Sequence, residues 1–203
     1  MKTILITHAD NEFGKSVTVS CLERGFNMLI VGQQKETLYD LDEMVKEIGG
    51  ASIALVADLK DSSQAQKLAA IADVNFGRFD IIFHLPPTEM PFDKQALWSA
   101  SSNHLAELIP LCEILNRKGG GTIVYFSIDT NAGHPLFQAV EKNISNSVSN
   151  LKLAYPTVNF VRLKMNATST AMNKSLNNDL MDAIFYVLEA PKMLKIDKFA
   201  LDF

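Results

Sequence analysis

Histidine is the side chain whose proton exchange falls nearest neutral pH, and this 203-residue chain carries four: His8, His84, His104 and His134. These histidines lack paired ligand spacing among themselves, so no metal site is expected. Ser127, Asp129 and His134 lie close together and supply the residue types of a nucleophilic triad. Nothing in their spacing orients hydroxyl, imidazole and carboxylate toward one another, so that reading ranks low. His84 ends the apolar run Ile81-Ile82-Phe83. A histidine in such a context is more often packed and satisfied than offered to a ligand, and a hydrogen bond to a cleft ligand is the competing reading. Lys15 and Ser16 could donate to an anion at a helix start, with a solvated first turn as the plainer alternative. Glu12 puts a carboxylate at the same helix start, where the dipole favours it or a phosphate.

Positioning such groups falls to an alternation of short β-rich runs and helical patterns along the whole length. Ile4–Thr7, Met28–Val31, Ile53–Ala57, Asp80–Leu85, Thr122–Ser127, Val158–Leu163 and Phe199–Phe203 read as seven strands. Helices are expected from about Gly14 to Arg24, over the Leu38, Leu41, Met44, Val45, Ile48 repeat, and over Ala65 to Phe76. Others follow at roughly Asp93 to Arg117, through Val140, Ile144, Val148 and Leu151, and near Leu180 to Leu188. Alternation at this spacing implies right-handed crossovers and a parallel sheet covered on both faces. The fold class is therefore α/β, a doubly wound seven-stranded parallel sheet of the Rossmann-like type, in one domain over 1–203. Such sheets bind ligands beyond the carboxyl ends of the strands, where strand order reverses. Thr7 to Gly14, Ala57-Asp58, His84 to Pro87 and Ser127 onward should share one cleft.

The order of five phrases resembles the short-chain dehydrogenase/reductase superfamily. Thr7 to Gly14 (THADNEFG) stands where that family has Thr-Gly-x-x-x-Gly-x-Gly. Ala57-Asp58-Leu59 matches its adenine-contacting Asp. Phe76-Gly77-Arg78-Phe79-Asp80-Ile81, Gly121 to Ser127 and Val158 to Leu163 match its approach to the fourth strand, its serine strand and its sixth strand. The resemblance implies a dinucleotide cleft with Thr7, Gly14, Lys35, Asp58 and His84 as cofactor-binding positions and Ser127 as the one surviving catalytic position.

The departures say more than the matches. His8 and Glu12 replace the first two glycines of the motif and only Gly14 remains, which suits close packing of helix and strand without a phosphate cradle. A carboxylate about 4 Å from a pyrophosphate charge costs up to roughly 4 kcal/mol at an effective dielectric of about 20. The second strand ends Val31-Gly32-Gln33-Gln34-Lys35 without the acidic residue that would select NAD. Lys35 leaves a weak case for the 2′-phosphate of NADP, so the cofactor is unknown, with NADP in play but weakened by the altered motif. No tyrosine among Tyr39, Tyr125, Tyr155 and Tyr186 has lysine four residues on, so the family's Tyr-x-x-x-Lys pair is missing. Alignment puts that tyrosine at Glu141 or Ala139, and its lysine at Ser145 or Asn143; Lys142 would point elsewhere. Ile128 holds the usual catalytic serine position beside Ser127, Asn103 is the candidate for the active-site asparagine at a shorter spacing to Gly121 than the family's, and Met165-Asn166 replaces a Pro-Gly. General acid catalysis is worth about 10²–10⁴-fold, so ordinary ketone reduction is not expected.

Two function classes follow. The first is a catalytically inactive homologue acting by ligand binding or by assembly with itself or a paralogue. The resemblance implies a homodimer or a heterodimer through helices near 93–117 and 135–154, whose stripes include Leu105, Ile109, Ile144 and Val148 and could equally serve only the monomer core. The alternative is a diverged NADP-dependent oxidoreductase using Ser127, His84, His134 or Glu141. A nucleotide sensor without chemistry would depend on Asp58, which could instead only cap the following helix. A net charge of −4 gives no reason to expect nucleic acid, and no apolar run approaches membrane-spanning length. Two cysteines in helix-like segments, Cys21 and Cys112, fit buried thiols in a reducing cytoplasm.

Overall fold

The computed structural model describes residues 2–85, 94–129, 135–166, 182, 184–186 and 188, with side chains at 94–101, 104, 127–129, 136, 137 and 164–166 excepted. Strands β1 (Thr3–Thr7), β2 (Asn27–Gly32), β3 (Ser52–Val56), β4 (Ile81–His84), β5 (Gly121–Asp129) and β6 (Val158–Asn166) alternate with five helices. These are α1 (Glu12–Glu23), α2 (Lys35–Glu47), α3 (Ser62–Phe76), α4 (Lys94–Arg117) and α5 (Pro135–Ala154). All described strand pairs are parallel, in the order β3-β2-β1-β4-β5-β6. The doubly wound fold stands. Six strands form the described sheet, and the seventh expected at Phe199–Phe203 lies outside the described residues.

Alternation along each strand divides the core in two. Leu5, Leu29, Ile82, Ile123 and Phe160 face one side, under Leu68 and Ala72 of α3, Leu108 and Leu115 of α4 and Ile144 and Val148 of α5. Ile4, Met28, Ile30, Phe83 and Val124 face the other, under Val17 and Cys21 of α1 and Leu38 and Val45 of α2. Ile184 and Phe185, in helical backbone, join this second layer, with Phe185 stacked on Phe26 at 5.2 Å between ring centres. Cys21 and Cys112 are free and buried on opposite sides of the sheet, consistent with the expected unbridged thiols.

Local signals set the element ends. Asn11 caps α1, its side chain accepting from Gly14 N–H at 2.7 Å, and Asp61 caps α3 by accepting from Ser63 N–H at 2.8 Å. Gly77 ends α3 at φ +89°, a conformation that a Cβ disfavours. Of the four stripe residues, Ile144 and Val148 are buried in the core and Leu105 packs against it, while Ile109 is exposed.

Candidate functional site

Strand order reverses between β1 and β4, which opens the ligand crevice of a doubly wound sheet at their carboxyl ends. One row of residues in register lies just inside that edge: Thr7, His84, Tyr125 and Arg162, on β1, β4, β5 and β6. Two residues earlier on each strand the corresponding row is Leu5, Ile82, Ile123 and Phe160, entirely apolar. The sheet thus changes within one pleat from hydrocarbon to a buried polar seam. Helices α4 and α5 cover that seam and add two carboxylates, Glu107 and Glu141.

At the switch point, Leu85 N–H donates to Thr7 Oγ1 at 3.1 Å, and Thr7 Oγ1 shares a hydrogen bond with His84 Nδ1 at 3.1 Å. With Oγ1 already accepting, the threonine proton is free to point at Nδ1. That assignment leaves His84 with its proton on Nε2, which lies 3.9 Å from Glu107 Oε2. The same carboxylate oxygen accepts from His8 Nε2 at 2.8 Å. Glu107 is 4% exposed and His84 fully buried, so one buried carboxylate serves two imidazoles. His8 sits at φ +50°, the left-handed region where the family has glycine. Histidine is among the non-glycine residues enriched there, and the bond to Glu107 holds it in place. Sequence reasoning missed Glu107, whose only signal was an acidic residue among Leu105, Leu108 and Leu111 on an apolar helix face.

At the seam's far end Arg162 pairs with Glu141 of α5 and hydrogen-bonds the Tyr125 phenol. Burial pushes the Tyr125 pKa up, only partly offset by Arg162. A phenol held protonated in this way, 4% exposed under α5, is no substitute for a tuned acid in the cleft. Glu141 is likewise drawn onto the sheet by a cation and does not stand free.

The altered glycine motif is filled by the chain itself. A Cβ on Gly14 would lie 2.5 Å from Ala9 Cα, so this glycine is required for packing, as expected. Glu12 turns outward, 70% exposed, onto Lys15 at 2.8 Å. Asp10 crosses to the end of β2, where one carboxylate oxygen accepts from Gln33 N–H and Gln34 N–H, both at 2.7 Å. The acid missing from the end of β2 in the sequence is therefore supplied through space from the β1–α1 loop. Gly32 makes room for it, since a Cβ there would meet the Asp10 carboxyl carbon at 2.4 Å.

The remaining expected positions scatter. Lys35 opens α2, exposed, with its Nζ 5.5 Å from the Tyr39 ring centre. Asp58 accepts from Lys60 N–H at 3.0 Å in the turn after β3; capping of α3 falls instead to Asp61, which corrects the alternative role expected for Asp58. Asn103 and Lys142 are exposed. Ser127 lies on β5 in register with Lys164, with its side chain outside the description, and His134 lies outside the described residues. The structure therefore joins Thr7, Gly14 and His84 at one edge and adds Glu107, Asp10 and Arg162. Among the described residues no group of three or more His, Cys, Asp or Glu could hold a metal ion.

A dinucleotide of the family's kind does not fit these residues. The Gly14 amide at the start of α1 is already bonded to Asn11, the two amides after β2 are bonded to Asp10, and His8 occupies a glycine's place. A family model for short chain dehydrogenase matches residues 2–85. An uncharacterized oxidoreductase of Thermotoga maritima is 29% identical over 143 residues, which cover 65% of this chain and 55% of that protein. Hydroxysteroid dehydrogenase-like protein 2 of Bos taurus is 26% identical over 87 residues, or 39% of this chain and 21% of that one. The chain thus matches about half the length of the first relative and less of the second. Among solved structures, the alcohol dehydrogenase of the archaeon Thermococcus sibiricus, complexed with 5-hydroxy-NADP, aligns with a TM-score of 0.77 at 16% identity, over 99% of this chain and 96% of that one. Serine dehydrogenase of Escherichia coli gives 0.75 at 15% identity, over 98% and 96%. The match to the short chain dehydrogenase family thus spans residues 2–85, and the solved structures share the fold over almost the whole chain.

Proposed function

We propose that this chain is a short-chain dehydrogenase-type protein without the family's hydride-transfer activity, acting by ligand binding or by assembly with itself or a paralogue. The observation that carries this reading is the Glu141–Arg162 pair. A carboxylate bound to a buried arginine stands at one of the two positions where the family's proton-donating tyrosine aligns, and the other position holds Ala139. Neither offers a phenol with a lysine four residues on. Loss of one positioned acid removes about 10²–10⁴-fold in rate. Two buried, unbridged thiols suit a reducing cytoplasm, and among the described residues no helix is long and apolar enough to cross a membrane.

The assembly arm of the proposal uses the outward faces of α4 and α5, where Ala106, Ile109, Ala139 and Leu153 are exposed. Leu153 at 83% and Ile109 at 48% exposure are its largest apolar groups. Sedimentation at tens of micromolar should show a dimer, alone or with an active paralogue, and a monomer in both cases would refute this arm. Calorimetric titration with NADPH and NADH to millimolar concentration should give no heat, and a carbonyl panel should leave the reduced-nicotinamide absorbance unchanged. Micromolar binding with turnover would replace this reading with a diverged NADP-dependent oxidoreductase. One observation favours that second reading: an imidazole oriented by a buried carboxylate, His8 on Glu107, is a serviceable proton-transfer unit at the switch point.

A further inference from the structure

We infer that Asp10 is a built-in occupant of the phosphate position at the end of β2 and shuts the cleft to nucleotides phosphorylated on the ribose 2′-oxygen. The inference rests on the reading above that the cleft has lost its dinucleotide, and it assigns part of that loss to one side chain. In doubly wound folds the ribose 2′ position of a bound nucleotide meets the residues just after the second strand. Here those residues present two adjacent backbone N–H groups, of Gln33 and Gln34, at the start of α2. Helix α2 has no side-chain cap from its own Gln34. Amides in this arrangement attract an anion, and the anion they hold is the Asp10 carboxylate at 2.7 Å from each nitrogen.

A second, independent feature shows the carboxylate to be fitted and not incidental. Gly32 immediately precedes the two amides, and its missing side chain leaves the volume that the carboxyl group fills. The Ala9 N–H bond to Val31 O at 2.9 Å fixes the preceding turn of the loop, so Asp10 reaches across without displacing backbone. A phosphate brought to these amides would have to displace a covalently tethered carboxylate, or sit beside it and be repelled. Lys35, in the first turn of α2 and exposed, follows those amides directly in the chain, with its Nζ over the Tyr39 ring.

The test compares the wild-type chain with Asp10→Ser and Asp10→Asn by calorimetry, using adenosine 2′,5′-bisphosphate and 5′-AMP as probes. These lack nicotinamide, so catalytic competence does not enter. The asparagine variant keeps an oxygen acceptor for the amides and guards against a serine variant that fails to fold; circular dichroism checks both. Both variants should bind the bisphosphate at least about tenfold more tightly than wild type, a gain of about 1.4 kcal/mol, with a smaller change for 5′-AMP. Wild-type binding of the bisphosphate at tens of micromolar would overturn the inference, and so would folded variants that bind it no better than wild type. The second of these results leaves the non-catalytic reading intact, whereas NADPH turnover by the wild type would remove that reading whatever the variants do.

Discussion

Replacing His8 by glycine restores the residue type of the family motif and sets two effects against each other. At φ +50° the change relieves a left-handed conformation that costs an L-residue about 1–2 kcal/mol. Against this, glycine gains freedom in the unfolded chain worth about 0.5–1 kcal/mol, which cancels much of the relief. The change also deletes the 2.8 Å bond to Glu107. A hydrogen bond to a charged group contributes about 1.5–3 kcal/mol, and a buried acceptor left unsatisfied costs more than the bond alone. Glu107 is 4% exposed and among the described residues would keep only His84 Nε2 at 3.9 Å. The bond therefore wins, and His8→Gly should destabilise by about 2 kcal/mol, lowering the melting temperature by roughly 4–8 °C for a chain of this size. Urea denaturation followed by circular dichroism reads this directly. In a Glu107→Gln background the same change should cost less by about 1 kcal/mol or more, since the two residues share one interaction. A His8→Gly protein as stable as wild type, or equal costs in both backgrounds, would show that the imidazole merely fills space.

Glu141→Ala should destabilise by about 3 kcal/mol because it strips a buried arginine of its carboxylate, and replacing both partners by leucine or methionine should cost far less; urea melts of the three proteins decide. Gly14→Ala should cost more than about 2 kcal/mol or prevent folding, since its Cβ would lie 2.5 Å from the Ala9 backbone, and a variant melting within a degree of wild type would refute the packing role. Burial pushes the Cys21 thiol up strongly and the Cys112 thiol up to about 12. Both hold their protons more tightly when folded, so their contribution is full below the ordinary value of 9.0 and is lost as pH rises above it. Stability should fall by about 3 kcal/mol between about pH 8 and 10 at roughly 1.4 kcal/mol per unit per thiol, half as much in Cys112→Ala, and a flat profile would refute the assignment.

The strand and helix order was readable because each element carries its own period and stop signal. Leu38, Leu41 and Val45 mark one face of α2, and the alternation along β1 divides its residues between the two core layers. The sites were readable only where one residue decides by its own size or position. Gly14 is such a case, because any Cβ there meets Ala9. Asp10 is the opposite case: it looks like a loop residue until β2 is folded beside it, and the acid of the ribose position then comes from 23 residues earlier than Gln33. Glu107 meets His8 across 99 residues of chain, and no local pattern reports a pairing of that separation. The apolar stripes of α4 and α5 mislead for a related reason, since periodicity gives a buried face without saying whether the sheet or a second molecule buries it. Here Ile144 and Val148 answer to the sheet.

A glycine motif that had only lost its glycines would leave the amides at the ends of β1 and β2 pointing into an empty cleft. That is not what the loop does. Where one glycine is absent, His8 stands on Glu107; the Gly14 amide is capped by Asn11; the amides after β2 hold Asp10; and the aligned tyrosine position holds Glu141 on Arg162. Each substitution arrives with a partner that satisfies the polar group it would otherwise strand, and leaving a buried group unsatisfied costs about 1–3 kcal/mol. Two of those partners, Glu107 and Asp10, are carboxylates, which puts negative charge beside the switch point and at the end of β2. Reversing a single position would then expose an unpaired group before it restored a cofactor site. For that reason Asp10, whose removal frees two backbone amides together, is the position at which an anion should first be able to return.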